Sequence, residues 1–225
     1  MLDPRTAVFV VVDVETTGLN PESDRVCEVG AIRMVGGRET GRFHALVNPG
    51  RPMPDSARAA HGISDEMLKD APASGAVGPD LRRFMSGSIL VAQNAEFDVL
   101  FLNAEFVRAG MSKLAMPAID TILLARKAKP GLPSYNLDTL ARHFKLKFKE
   151  RHRSIGDCEV TGGVFWQCLE MLRPRSMDDL FKKGLVEVKE RAAPLPSIMP
   201  APVLELGAPS PVPAPPAAPP ASPTA

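Results

Sequence analysis

From Ala7 to Val14 the chain is apolar at nearly every position, and most of those positions are β-branched. Strand side chains point alternately to the two faces of a sheet. An unbroken apolar run therefore predicts a strand over residues 7–14 that is covered on both sides. Gly18-Leu19-Asn20-Pro21 interrupts the pattern, and Val26–Val35 resumes it. Gly36-Gly37 is a two-residue hairpin signal, after which residues 38–47 read as a third strand. The first three strands are thus expected to form an antiparallel meander. Asn48-Pro49-Gly50, Pro52 and Pro54 end it.

Helical spacing takes over from there. Short helical pieces are expected at 55–60 and 64–69, and a longer one at 79–85 that Gly87 closes. Residues 88–93 read as a fourth strand. An amphipathic helix follows over 95–109, with Phe97, Val99, Leu100, Leu102 and Phe106 among its apolar positions and Gly110 at its end. Further helices are expected at 119–127, at 136–144 with Asn136 as N-cap, at 155–172 before Pro174, and at 176–183 before Gly184. Strands first, then helices around a central strand, predict a mixed α/β sheet with helices on its faces.

Polar residues that interrupt this pattern carry the chemistry. Asp13 and Glu15 close the first strand and, at period two, share a face. Two carboxylates ending an apolar strand are costly to bury unless positive charge offsets the desolvation. Asp98 lies one turn into the helix after the fourth strand, and Asp157 lies in the first turn of the last long helix. All four can converge at one sheet edge. They offer only oxygen donors, which suits Mg²⁺ or Mn²⁺ better than zinc. His152 stands in a loop five residues before Asp157. Its ordinary pKa suits taking a proton from water near neutral pH, and Arg151 and Arg153 beside it are expected to favour the neutral form. Two divalent metal ions with a nearby imidazole would make a phosphodiester-cleaving site.

Other polar positions read differently. Glu28, in the apolar second strand, is expected to be a buried acid bonded to backbone or a neighbour. Asp120 before Thr121 suits a helix N-cap, and Asn94 suits another. His44 lies in the third strand with no acidic residue beside it in sequence, and His143 falls among basic residues on a solvated face. His61 is a loop histidine open equally to substrate contact and to packing.

Composition sets the boundaries. The chain has 225 residues and a formal net charge of +1. Residues 192–225 are mostly Pro and Ala, with Glu205 the one charge, and read as an extended disordered tail. The expected division is a globular domain at 1–175, a helical extension at 176–191, and the tail at 192–225. Bulk charge marks no nucleic-acid binder. The stretch 126–153 nevertheless holds nine Lys/Arg against Asp138 and Glu150. By itself it reads as a solvated face; beside His152 it could track a phosphate backbone. Cys27, Cys158 and Cys168 lack zinc spacing and suit buried free thiols. The start has no signal-peptide pattern and no apolar run is long enough to span a membrane. A soluble, cytoplasmic protein without a membrane partner is expected.

The three motifs Asp13-Val14-Glu15-Thr16-Thr17-Gly18, Asn94-Ala95-Glu96-Phe97-Asp98 and His152-Arg153-Ser154-Ile155-Gly156-Asp157, in this order, resemble those of the DnaQ-like (DEDDh) 3′–5′ exonucleases. Asn48-Pro49-Gly50, His61-Gly62-Ile63-Ser64 and Asp120-Thr121 resemble the branch that holds the proofreading epsilon subunit of bacterial DNA polymerase III. The resemblance spans residues 7–172. It implies an RNase H-like fold with a central five-stranded mixed sheet, whose fifth strand would fall at 115–119. It implies two metals held by Asp13, Glu15, Asp98 and Asp157, with His152 as general base. It also implies that Thr16, Thr17 and Leu19 lie against the terminal nucleotide, with Asn94 in the substrate set and Phe97 and His61 near the next base or sugar. Gln93 departs from the pattern, since epsilon-like proteins often carry His there.

The implied reaction releases nucleoside 5′-monophosphates from single-stranded or frayed DNA 3′ ends, in proofreading or repair. Two rival expectations are an RNA-directed exonuclease of the same fold and a non-catalytic polymerase-associated module. Residues 176–225 could tether the chain to a polymerase subunit or a sliding clamp. Within them Met177-Asp178-Asp179-Leu180-Phe181 faintly resembles a clamp-binding peptide.

Overall fold

The computed structural model describes residues 3–186. Its elements, in chain order, are β1 (Val8–Thr16), β2 (Val26–Val35), β3 (Arg38–Leu46), α1 (Asp55–His61), α2 (Asp65–Leu68), α3 (Ser74–Met85), β4 (Ile89–Ala92), α4 (Ala95–Arg108), β5 (Ala118–Asp120), α5 (Thr121–Ala128), α6 (Leu137–Phe144), α7 (Ser154–Leu172) and α8 (Met177–Gly184). The expected disordered tail at 192–225 lies outside the described residues.

One five-stranded sheet runs in the order β3-β2-β1-β4-β5. β1, β2 and β3 pair antiparallel, whereas β4 joins β1 and β5 joins β4 in parallel. This is the mixed sheet that the apolar runs and the resemblance implied. Gly36 and Gly37 turn the β2–β3 hairpin with φ of 57° and 78°, both in the left-handed region that two-residue hairpins require. The fifth strand falls at Ala118–Asp120 rather than 115–119. The helix expected from 119 therefore begins at Thr121, with Asp120 Oδ1 accepting from Ile122 N at 2.7 Å. Helix α3 starts five residues earlier than expected, at Ser74, and runs through Pro79.

Alternation along β1 separates two cores. Phe9 and Val11 face α5, α6 and α7, packing with Leu124, Leu140, Val164 and Phe165. Val10, Val12 and Val14 face α3 and α4, packing with Leu81, Leu102 and Phe106. Asp13 and Glu15 continue the first row, so they emerge under α7.

Helix α8 closes the molecule beside β5. Met177 and Leu180 are buried in the same core as Ile119 and Leu124. The chain then runs along β5, with Val186 N donating to Ala118 O at 2.9 Å. Within the clamp-like stretch at 177–181, Met177 and Leu180 are thus core residues and Phe181 is half-buried; beyond residue 186 the expected tether lies outside the described residues. Among the described residues no helix is long and apolar enough to cross a membrane.

Candidate active site

The site forms where β1 outruns its parallel neighbour. β4 pairs with β1 only as far as Val11. Beyond that point Val14 N–H is free to donate, and it does so to Asp98 Oδ1 at 3.1 Å. Asp98, in the first turn of α4, is thereby held behind Asp13. On the other face α7 comes close to the sheet. A Cβ on Gly30, which pairs with Asp13, would lie 2.7 Å from the Ser154 carbonyl carbon. A Cβ on Gly156 would lie 1.8 Å from Glu150 O. These two glycines let the start of α7 and the loop before it fold onto β1, which delivers Asp157.

Asp13, Glu15 and Asp157 each offer a carboxylate oxygen, and the three oxygens lie within 4.8 Å of one another. Burial raises all four acids above their ordinary values. For Asp13 burial acts first, followed by repulsion from Asp98, Glu15 and Asp157. Glu15 is pushed up to about 7 by burial, then by Asp157 and Glu28. Asp98 is raised by burial despite the Val14 bond, and Asp157 by burial despite Arg151. Asp157 Oδ1 is buried with no hydrogen-bond partner. Acids that repel one another, an orphaned oxygen and an all-oxygen donor set fit hard divalent cations.

His152 is exposed, with a left-handed φ of 59°. Of the two arginines expected to flank its imidazole, only Arg151 reaches it, with Nη1 at 3.2 Å from Nδ1. Arg153 turns inward instead. Its Nε and Nη2 donate to Glu28 Oε1 at 3.0 and 2.5 Å, and Ser154 N donates to Glu28 Oε2 at 2.8 Å. Glu28 is fully buried and also meets His44 Nε2 at 2.8 Å. Thus Glu28 is a bonded buried acid as expected, but His44 does have an acidic neighbour. That contact depends on the β2–β3 register, which sets His44 opposite Gly30, two residues from Glu28. The site's supporting groups Glu28 and Arg151 were missed as such, because only the three-dimensional register brings their partners together.

The six expected substrate residues divide. Leu19 is 84% exposed, Asn94 is exposed at φ 62°, and Phe97 is half-buried with its ring 4.7 Å from that of Phe101. Asn94 does not cap α4 with its side chain; its own N–H donates to Asp120 Oδ1 at 3.3 Å. Thr16, Thr17 and His61 turn inward. Thr16 Oγ1 donates to Gly18 O at 2.5 Å, and Thr17 Oγ1 accepts from Arg25 N at 3.0 Å. His61 Nδ1 accepts from Ile63 N at 3.1 Å, which leaves Nε2 to donate to Thr16 O at 3.3 Å. Burial lowers its pKa, so the ring stays neutral. These three side chains brace the loop through internal hydrogen bonds. Gln93 is also used internally, donating to Tyr135 O at 2.8 Å.

A family model described as exonuclease, RNase_T, matches residues 10–165, a span that includes all four acids and His152. The chain belongs to this exonuclease family. The chain is 42% identical over 164 residues to a DNA polymerase III subunit epsilon of Rickettsia felis, covering 69% of this chain and 71% of that protein. It is 39% identical over 164 residues to a DNA polymerase III PolC-type of Oceanobacillus iheyensis. That match covers 73% of this chain but only 12% of the far longer PolC-type protein. Among solved structures, Exonuclease X in complex with 5′ overhanging duplex DNA superposes with a TM-score of 0.61 at 25% identity, over 76% of this chain and 96% of that one. E. coli Exonuclease I with a dT13 oligonucleotide shares the fold, with a TM-score of 0.68 at 20% identity over 78% of this chain and 44% of that one.

Proposed function

We propose that this exonuclease hydrolyses the terminal phosphodiester of single-stranded or frayed DNA from the 3′ end, releasing nucleoside 5′-monophosphates, in proofreading or repair in the cytoplasm. The observation that carries the reading is the convergence of Asp13, Glu15 and Asp157 within 4.8 Å beside His152. These acids, with Asp98 behind Asp13, would hold Mg²⁺ or Mn²⁺. Bound there, the ions would supply Lewis acidity toward water and phosphate and stabilise the leaving oxygen. His152, in an open loop, removes the proton of the attacking water. Leu19, Asn94 and Phe97 frame the terminal nucleotide, which must leave its stack to enter and regains contact on apolar and aromatic surface. The backbone at Thr16 and Thr17, braced by His61, borders the same space. The named relatives support DNA over RNA and a polymerase as partner.

The test is degradation of 3′-labelled and 5′-labelled DNA and RNA oligonucleotides, with Mg²⁺, with Mn²⁺ and with EDTA. DNA shortened from its 3′ end only when metal is present is the expected result. Shortening from the 5′ end, or equal loss in EDTA, overturns the reading, and faster loss of RNA moves the substrate.

A further inference from the structure

We propose that Arg151 is a built-in counter-cation, which Asp157 gives up when a divalent ion binds. The proposal rests on the acidic cluster being the metal site. Arg151 lies in the loop before α7, yet its guanidinium reaches back into the cluster. Nη1 donates to Asp157 Oδ2 and stands 3.2 Å from His152 Nδ1. Nε and Nη2 donate to Asp138 Oδ1 and Oδ2 at 2.9 and 3.0 Å. The same group lies 4.9 Å over the Phe148 ring.

One positive group thus touches a metal-ligand candidate and the general base together. Its charge also eases ionisation of Asp13 and, together with that of Arg153, of Glu15. Asp157 Oδ1 has no partner, whereas Oδ2 is held by Nη1; an ion on this carboxylate would stand beside the guanidinium, and two cations in contact with one carboxylate repel. The Asp138 pair offers the guanidinium a place to stay when it lets go. Asp138 is the more exposed partner, with 49% of its side-chain surface open against 6% for Asp157. Release would also free His152 Nδ1, so metal loading and exposure of the base would be one event. The opposite reading has Arg151 stay in place and orient Asp157 for the metal. The two differ in sign, because removing a competitor tightens metal binding whereas removing a support weakens it.

Mn²⁺ is titrated calorimetrically into the full chain, into Arg151→Gln and into Asp13→Asn, without substrate. Arg151→Gln should bind Mn²⁺ roughly tenfold tighter, the scale of one partly screened contact between like charges. It should melt below the wild type in EDTA and gain more from added Mn²⁺. Arg151→Lys keeps a cation but lacks the planar fork that spans Asp138 and Asp157; it should bind Mn²⁺ nearly as the wild type does. If Arg151→Gln does not fold, Arg151→Met keeps the stem over Phe148, and the same tightening is expected of it. Unchanged or weaker Mn²⁺ binding in a cooperatively melting charge-removal variant overturns the proposal. Asp13→Asn should lose most Mn²⁺ binding; if it binds like the wild type, the cluster is not the metal site and the underlying reading fails instead.

Discussion

Glu15 and Glu28 are register partners on β1 and β2, yet the protein treats them in opposite ways. Glu28 is buried completely, and burial alone would raise its pKa. Arg153, the Ser154 N–H and His44 outweigh that and bring it below the ordinary carboxylate range. Glu105 follows the same pattern on α4, where Arg25 holds both its oxygens at 2.7 and 3.0 Å and Arg108 adds a third contact at 3.1 Å. Glu15 has Asp157 and Glu28 as neighbours and rises to about 7. The chain satisfies its structural acids with its own cations. It leaves the site acids facing one another, with Arg151 as the one guanidinium hydrogen-bonded to any of them among the described residues. Unfavourable charge retained in this way marks a place built for something from outside.

Isosteric changes on the two sides should therefore have opposite effects. Asp13→Asn should abolish exonuclease activity while raising the melting temperature in EDTA, because it removes a repelling carboxylate. Glu28→Gln should keep reduced activity and lower the melting temperature. Loss of its charge-assisted bonds should cost about 1.5–3 kcal/mol, and each kcal/mol is worth roughly 2–4 °C at this chain length. Melting curves of both variants, run side by side in EDTA, decide the matter; two shifts of the same sign would break the comparison. His152→Ala comes next in activity. It should slow turnover about 10²–10⁴-fold, the usual range for a general base, with little change in melting because the ring is exposed. Single-turnover kinetics at saturating metal would measure it, and a loss of only a few fold would remove His152 from that role.

The sequence carried the site acids because each interrupts a pattern it should have continued. Asp13 and Glu15 break an apolar strand, and Asp98 and Asp157 stand in the first turns of helices whose later positions are apolar. The hairpin was legible for a similar reason, since two glycines in tandem have few other uses between strands. What stayed hidden depends on distance in space. β5 has three residues and merges into the helix after it, so apolar spacing alone could not separate the two. The His44–Glu28 pair needs the strand register. The bonds by which Thr17 and His61 brace their loop, to Arg25 N, Ile63 N and Thr16 O, likewise appear only once the chain is folded. Arg151 was read as a neighbour of His152 in sequence, whereas its reach to Asp138 and Asp157 follows from the loop folding back over Gly156.

The smallest effect is the most direct probe of the difference, and it needs no mutation. Without metal, Glu15 titrates near 7 when folded and near 4.5 when unfolded. A raised folded value means that the folded chain holds the proton more tightly. This group's contribution to stability is then fully present below about pH 4.5 and is lost as pH rises through about 7. Asp13, Asp98 and Asp157 are also raised and act in the same direction. Glu28 and Glu105 are lowered, so their contribution is present above the unfolded value and is lost only as pH falls below it. Between pH 5 and 8 the structural acids are therefore silent; buried His61, whose pKa is lowered, acts in the opposite direction, and the four raised site acids outweigh that single group. Melting temperature in EDTA should fall across that interval. Saturating Mn²⁺ should flatten or reverse the slope, because an ion binds the deprotonated cluster and adds stability with rising pH. Equal slopes with and without Mn²⁺ would mean that the ions are held elsewhere, and the contrast between Glu15 and Glu28 would then be structural only.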